Sequence, residues 1–219
     1  MEGDHNLCRS AQGTIVGRHG GFADKVRAQA ASVVALPDDL SSESAGPLFC
    51  GGITVYNPMV QFELKPTAKV AVIGIGGLGH MAVQFLNAWG CEVTAFTSSE
   101  AKRTEALDLG AHHTLDSRDK SALKEAAGRF DLILSTVNVT LDWNGYISTL
   151  KPKGRLHLLG AVLEPMSISV MALMGGQRSV SSSPVGSPAT IAQMLEFAAR
   201  HSIAPQVEVF DIADVNKAI

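Results

Sequence analysis

Lys69-Val-Ala-Val-Ile-Gly-Ile-Gly-Gly-Leu-Gly-His-Met-Ala-Val-Gln-Phe-Leu-Asn-Ala-Trp-Gly90 is the most informative stretch of this 219-residue chain. Val70 to Ile73 form a continuous run of β-branched and small apolar residues, the pattern of a strand covered on both faces in a parallel sheet. Gly74, Gly76 and Gly79 follow as G-x-G-x-x-G. From Gly77 onward, Leu78, Met81, Ala82, Phe85 and Leu86 recur at helical spacing. The order is strand, tight turn, helix. In that order the glycines have separate roles, since one turns the chain, one lets the backbone approach a pyrophosphate, and one lets the helix pack close on the strand. The helix N-terminus then offers its unpaired N–H groups and positive dipole end to the phosphates. Gly74, Gly76, Gly77, Leu78 and Gly79 are the expected dinucleotide cradle. His80, just inside the helix, reads as a surface or capping residue.

Cys91 to Thr97 supplies the next strand, with Cys91 as a core thiol. About 20 residues past the glycines, an NAD site carries a carboxylate for the adenosine ribose hydroxyls. Here the chain reads Thr97-Ser-Ser-Glu-Ala-Lys-Arg103. Small hydroxyls at Ser98 and Ser99 leave room for a 2′-phosphate and can donate to it, and Lys102 and Arg103 lie close enough to neutralise it. This pattern favours NADP(H). The same residues also read as a helix cap, a dipole-complementing Glu100 and a solvated basic face. Glu100 keeps NAD open as a second cofactor.

The alternation continues. Helices are expected over residues 101–109, 120–127 and 141–150, and strands over 114–116, 130–135 and 154–160, each bounded by Gly or polar turns. Strands alternating with helices of this length predict an α/β fold with a doubly wound parallel sheet, the Rossmann arrangement, with its ligand beyond the strand C-termini. Those ends carry Thr136 and Val137, then Gly160, Ala161 and Val162, then Ser183 and Val185 within residues 182–187. The nicotinamide half of the cofactor is expected against the last two groups. His112, His113 and His157 read as packing or surface residues.

Composition sets the outer bounds. With 46% hydrophobic and 18% charged residues, the chain suits one sizeable domain, or one plus parts of another. A net charge of -3 without a basic run gives no electrostatic reason to expect nucleic acid or an acidic membrane surface. The partner expected is a small molecule. Cys8, Cys50 and Cys91 are odd in number and far apart, which is no disulfide framework and predicts a reducing compartment, the cytoplasm. The polar first residues do not read as a signal peptide, and no apolar run approaches the roughly 18 residues of a membrane span. Taken alone, Cys50 reads as a small packing thiol.

Several stretches together carry a family resemblance: Glu2-Gly-Asp-His-Asn-Leu-Cys8, Gly20-Gly-Phe-Ala-Asp-Lys-Val26, Leu36-Pro-Asp-Asp-Leu40, Cys50-Gly-Gly-Ile-Thr-Val-Tyr56, Gly74-Ile-Gly-Gly-Leu-Gly-His80, Leu109-Gly-Ala111 and Leu150-Lys-Pro-Lys-Gly154. The sequence resembles the zinc-containing medium-chain alcohol dehydrogenases, in their NADP-dependent, cinnamyl-alcohol-dehydrogenase-like branch. The resemblance implies an oxidoreductase passing hydride between NADP(H) and a primary alcohol or aldehyde. It implies that Cys50 is a ligand of the catalytic zinc and Cys8 a ligand of the structural zinc. It also implies dimerisation along the sheet edge near residues 171–183.

The chain departs from that pattern. It has no C-x-x-C and no His-Glu pair, although a catalytic zinc needs about three protein ligands and a structural one four. The missing ligands and proton-relay residues would precede Met1, and residues 211–219 stop within a helix-like stretch. The expectation is a fragment truncated at both ends, inactive alone. Residues 1–45 would be a mostly β remnant of the zinc-holding catalytic domain, 46–188 the NADP-binding domain, and 189–219 a return to the catalytic domain. The alternative is a non-catalytic NADP-binding module or a decayed relative without zinc. Residues 20–36 read as two short strands whose partners are missing, leaving Phe22, Val26, Val33 and Val34 exposed or mispaired.

Overall fold

The computed structural model describes residues 3–15, 17–18 and 20–218. Met1, Glu2 and Ile219, and thus the first residue of the motif ending at Cys8, lie outside them, as do Val16 and His19. Six strands form one parallel sheet: β1 (Lys69–Ile73), β2 (Glu92–Thr97), β3 (His113–Asp116), β4 (Phe130–Ser135), β5 (Leu150–Leu158) and β6 (Ser179–Ser182). Their order is β3-β2-β1-β4-β5-β6, the doubly wound order whose switch point lies between β1 and β4. Val72 sits opposite Ala95 of β2 and Leu134 of β4.

Helices cover both faces: α1 (Ser42–Pro47), α2 (Ile53–Gln61), α3 (Gly77–Trp89), α4 (Glu100–Asp108), α5 (Lys120–Glu125), α6 (Trp143–Ser148), α7 (Val170–Met174), α8 (Pro188–Arg200) and a short α9 (Val215–Ala218). β1 shows why its run is apolar without alternation. Successive side chains of a strand point to opposite faces; Val70 and Val72 enter one core with Val83, Phe85, Leu86 and Met194, and Ala71 and Ile73 enter the other with Phe96, Ile133, Trp143 and Tyr146. Each large side chain buried this way contributes roughly 1.5–3 kcal/mol. α3 ends where Gly90 turns left-handed at φ 102°.

The expected elements are found, with shifted ends. β5 begins at Leu150, earlier than the expected residue 154, because Leu150 already pairs with Phe130 before the register slips. Pro152 lies at that irregularity, where a strand tolerates proline. Residues 189–200, expected to return to the catalytic domain, lie in α8, and α8 packs into the first core through Met194, Leu195 and Ala198. Its Phe197 ring lies 5.6 Å from both Tyr56 and Trp89.

Residues 20–36 correct an expectation. They form no strand; a 3-10 turn at Ala30–Ser32 is their only regular element. A strand without a neighbour leaves its backbone groups unpaired, and none of the described residues pairs with this segment in the sheet. Among its described residues the N-terminal segment carries no strand, so it is not mostly β. Phe22, Val26 and Val33 are exposed, whereas Val34 packs against the first core.

Candidate cofactor site

The loop between β1 and α3 separates the roles of its glycines. Gly74 adopts φ 86°, and a Cβ there would stand 2.7 Å from Cγ1 of Val137. The Thr136 hydroxyl donates to the carbonyls of Ile73 (2.9 Å) and Gly74 (3.0 Å), binding the ends of β1 and β4 to each other. A Cβ on Gly79 would overlap the Gly74 carbonyl oxygen, so α3 reaches the strand end only without a side chain there. Gly76 and Gly77 have nothing within 4 Å of where a Cβ would be. Bare backbone thus faces open space at the N-terminus of α3, a setting that suits a pyrophosphate.

The β4 and β5 ends close around this loop. A Cβ on Gly160 would overlap the Val137 carbonyl, and the Gly160 N–H donates to the Ser135 carbonyl at 3.1 Å. The Val162 N–H donates back to Gly160, which tightens the turn; Ala161 is exposed and Val162 half-buried. Beyond β6, the Ser183 hydroxyl lies 3.0 Å from Nε2 of His157, and the Ser181 hydroxyl lies 2.9 Å from its Nδ1. His157 is fully buried. Burial, and then the nearby Arg155 charge, push its pKa down to about 4, so the ring is neutral at pH 7. Val185 packs against the first core, and Gly186 passes so close to Ile53 of α2 that a Cβ would stand 2.7 Å from its Cδ1.

His80 is neither a surface residue nor a simple cap. It is buried, with Nδ1 3.1 Å from the Gly76 carbonyl, and its Nε2 accepts from the Gln206 N–H at 3.1 Å. The ring joins the glycine loop to the chain beyond α8.

Just past β2, Ser99 caps α4 by accepting from the Lys102 N–H, and Ser98 is exposed. Lys102 pairs with Glu105 at 2.6 Å. Arg103 pairs with Glu100 at 3.2 Å and with Asp116 at 3.0 Å, joining α4 to the end of β3. Half-exposed pairs of this kind are each worth about 0–1 kcal/mol, so an incoming phosphate can redirect them readily. One basic residue has no signal in local sequence: Arg118 donates from Nη2 to the Ser98 carbonyl. Its signal is topological. In the parallel pair β2 and β3, Thr97 stands opposite Asp116, so residues just past the two strand ends share one rim.

Cys50 lies on a π-helical turn, Leu48–Gly52, between α1 and α2. Its thiol is exposed, and the adjacent Gly51 faces Leu78 and Met81 of α3. Cys8 is half-buried beside a 3-10 turn at His5–Leu7. Among the described residues, no group of three or more His, Cys, Asp or Glu is placed to hold a metal. Two separate thiols do not fit a zinc ion, which needs about three or four ligands. A polar cavity of about 670 Å³ lies at the opposite end of the sheet, lined in part by Phe62, Lys151, Lys153 and Arg155; ligands of open α/β sheets bind at the other end.

Known proteins match this arrangement. The profile of the zinc-binding dehydrogenase family covers residues 77–200. An aldehyde reductase, AdhA, from Synechocystis sp. is 64% identical over the whole chain, which spans 65% of that protein's length. Among solved structures, a cinnamyl alcohol dehydrogenase from Sorghum bicolor superposes with a TM-score of 0.80 at 40% identity, over 84% of this chain and 53% of its own. A cinnamyl alcohol dehydrogenase from Helicobacter pylori, complexed with NADP(H), gives 0.74 at 30% identity over the same shares. The chain thus spans less than two thirds of the length of these relatives. With the parallel sheet, its glycine loop and the matched residues 77–200, the chain belongs to the zinc-binding dehydrogenase family.

Proposed function

We propose that this chain is the NADP(H)-binding part of an alcohol dehydrogenase or aldehyde reductase that passes hydride between the cofactor and a primary alcohol or aldehyde. The observation that carries it is the cradle of Gly74, Gly76, Gly77 and Gly79, where two glycines exclude any side chain by contact and two leave backbone bare. The nicotinamide of a bound NADP(H) supplies the hydride chemistry. The chain's own residues bind and orient. The N-terminus of α3 faces the phosphates; Thr136 and Val137 hold the loop; Gly160, Ala161, Val162, Ser183 and Val185 border the nicotinamide end; Ser98, Ser99, Lys102 and Arg103 border the adenosine phosphate. The names of the relatives support the substrate class.

Cys50 and Cys8 stand in this reading as single zinc-ligand positions whose sets the described residues do not complete. Residues 1–45 and 189–219 belong to the zinc-holding part in this reading. That incompleteness favours a second reading for the chain by itself: a cofactor-binding module without turnover. The outer edge of β6, which no described strand pairs, beside the exposed Val170, Met171 and Met174, suits a second copy of the chain, and three free cysteines suit a reducing, cytoplasmic setting. No described helix is long and apolar enough to cross a membrane.

A fluorescence titration with NADPH and NADH, with reduction of an aromatic aldehyde followed on the same sample, tests both readings. NADPH binding preferred over NADH supports the proposal, and lack of turnover then supports the module reading. Binding of neither cofactor defeats both.

A further inference from the structure

We propose that Arg118 is a specificity-determining residue that grips the 2′-phosphate of NADP(H), a role resting on the cofactor reading above. Arg118 follows β3 by two residues and carries a highly exposed side chain. Two contacts aim it at the cofactor rim. Nη2 donates to the carbonyl of Ser98, and Nε lies 3.7 Å from Oδ1 of Asp116. The Asp116 carboxylate also accepts from the Arg118 N–H at 2.9 Å, which fixes the turn that presents the side chain.

The surrounding charges explain why this cation, more than its neighbours, is available. Lys102 is paired within its own helix to Glu105. Arg103 is held between Glu100 and Asp116 and is more buried. Arg118 has the same carboxylate only at long range and keeps most of its fork in solvent. A guanidinium held at the Ser98 carbonyl offers the planar, multidentate donor set that a phosphate dianion takes. NADH, which carries a ribose hydroxyl at that point, gains little from it. Arg118 therefore separates the two cofactors without touching the reacting end.

The experiment measures dissociation constants of NADPH, NADH and 2′,5′-ADP for the 219-residue chain, for Arg118→Ala and for Arg118→Lys, with thermal midpoints for each. The expected result is NADPH and 2′,5′-ADP weakened about tenfold by Arg118→Ala, NADH changed by less than about twofold, and partial recovery in Arg118→Lys. Equal weakening of NADPH and NADH, or no change in either, overturns the assignment while leaving the cofactor reading intact. A parent chain that binds no NADPH overturns both. Should Arg118→Ala lower the thermal midpoint, the Lys variant decides: NADPH affinity below the parent with the parent's midpoint and unchanged NADH supports the fork, and unchanged NADPH affinity overturns it.

Discussion

Replacing Gly79 and Gly76 separately with alanine tests how the nucleotide loop divides its roles. At Gly79 the new methyl would overlap the Gly74 carbonyl oxygen and stand 2.8 Å from the Gly74 carbonyl carbon and 3.3 Å from Oγ1 of Thr136. Two of those three atoms are backbone, so no side chain can rotate away. α3 must shift from β1, with strain of about 1–3 kcal/mol, and each kcal/mol lowers the thermal midpoint of a chain this size by about 2–4 °C. At Gly76 the methyl meets nothing within 4 Å, and the backbone, at φ -115°, is extended. Stability should stay within about 0.5 kcal/mol of the parent. The same methyl stands where a pyrophosphate must approach, so NADPH affinity should still fall by about tenfold or more. The assays are thermal unfolding by circular dichroism and NADPH fluorescence titration. Equal stability losses in the two variants, or a Gly79→Ala protein with the parental midpoint, would refute the division of roles.

Other outcomes follow from the same structure. His157 has a folded pKa of about 4 against 6.5 for an ordinary histidine, so the unfolded chain binds the extra proton first. Its contribution is complete above about pH 6.5 and is lost as pH falls toward 4, by up to about 3 kcal/mol; urea midpoints against pH should show this slope, and His157→Gln should flatten it. Burial raises the Cys91 thiol to about 11, and the exposed Cys50 and half-buried Cys8 are accessible. A thiol reagent should label Cys50 and Cys8 in the native chain because they are accessible, with Cys91 reacting only in denaturant; fast native labelling of Cys91 would contradict its packing. Elemental analysis should find well below one zinc per chain, because neither thiol has companion ligands among the described residues. A full equivalent retained after dialysis would mean that ligands are recruited from outside them.

What is legible in the sequence, and what is not, divides along physical lines. Local periodicity and glycine spacing are short-range properties, so strand β1, the glycine turn and helix α3 can be read directly from residues 69–90. The serine-rich end of β2 is readable in the same way, since Ser99 caps the next helix as its chemistry suggests. Residues 20–36 mislead because β propensity reports a fit to a neighbouring strand that must exist elsewhere. His80 misleads because its burial depends on Gln206, far along the chain.

By itself the sequence determined the α/β class, the glycine loop and the strands that precede and follow it, because each depends on neighbours within one or two turns of chain. Only the tertiary structure decided that Arg118 shares a rim with Ser98, that His157 anchors Ser183, and that α8 completes the first core. Those pairings join residues 20 or more positions apart, and only the crossing of parallel strands brings them within reach of a hydrogen bond or a packed contact.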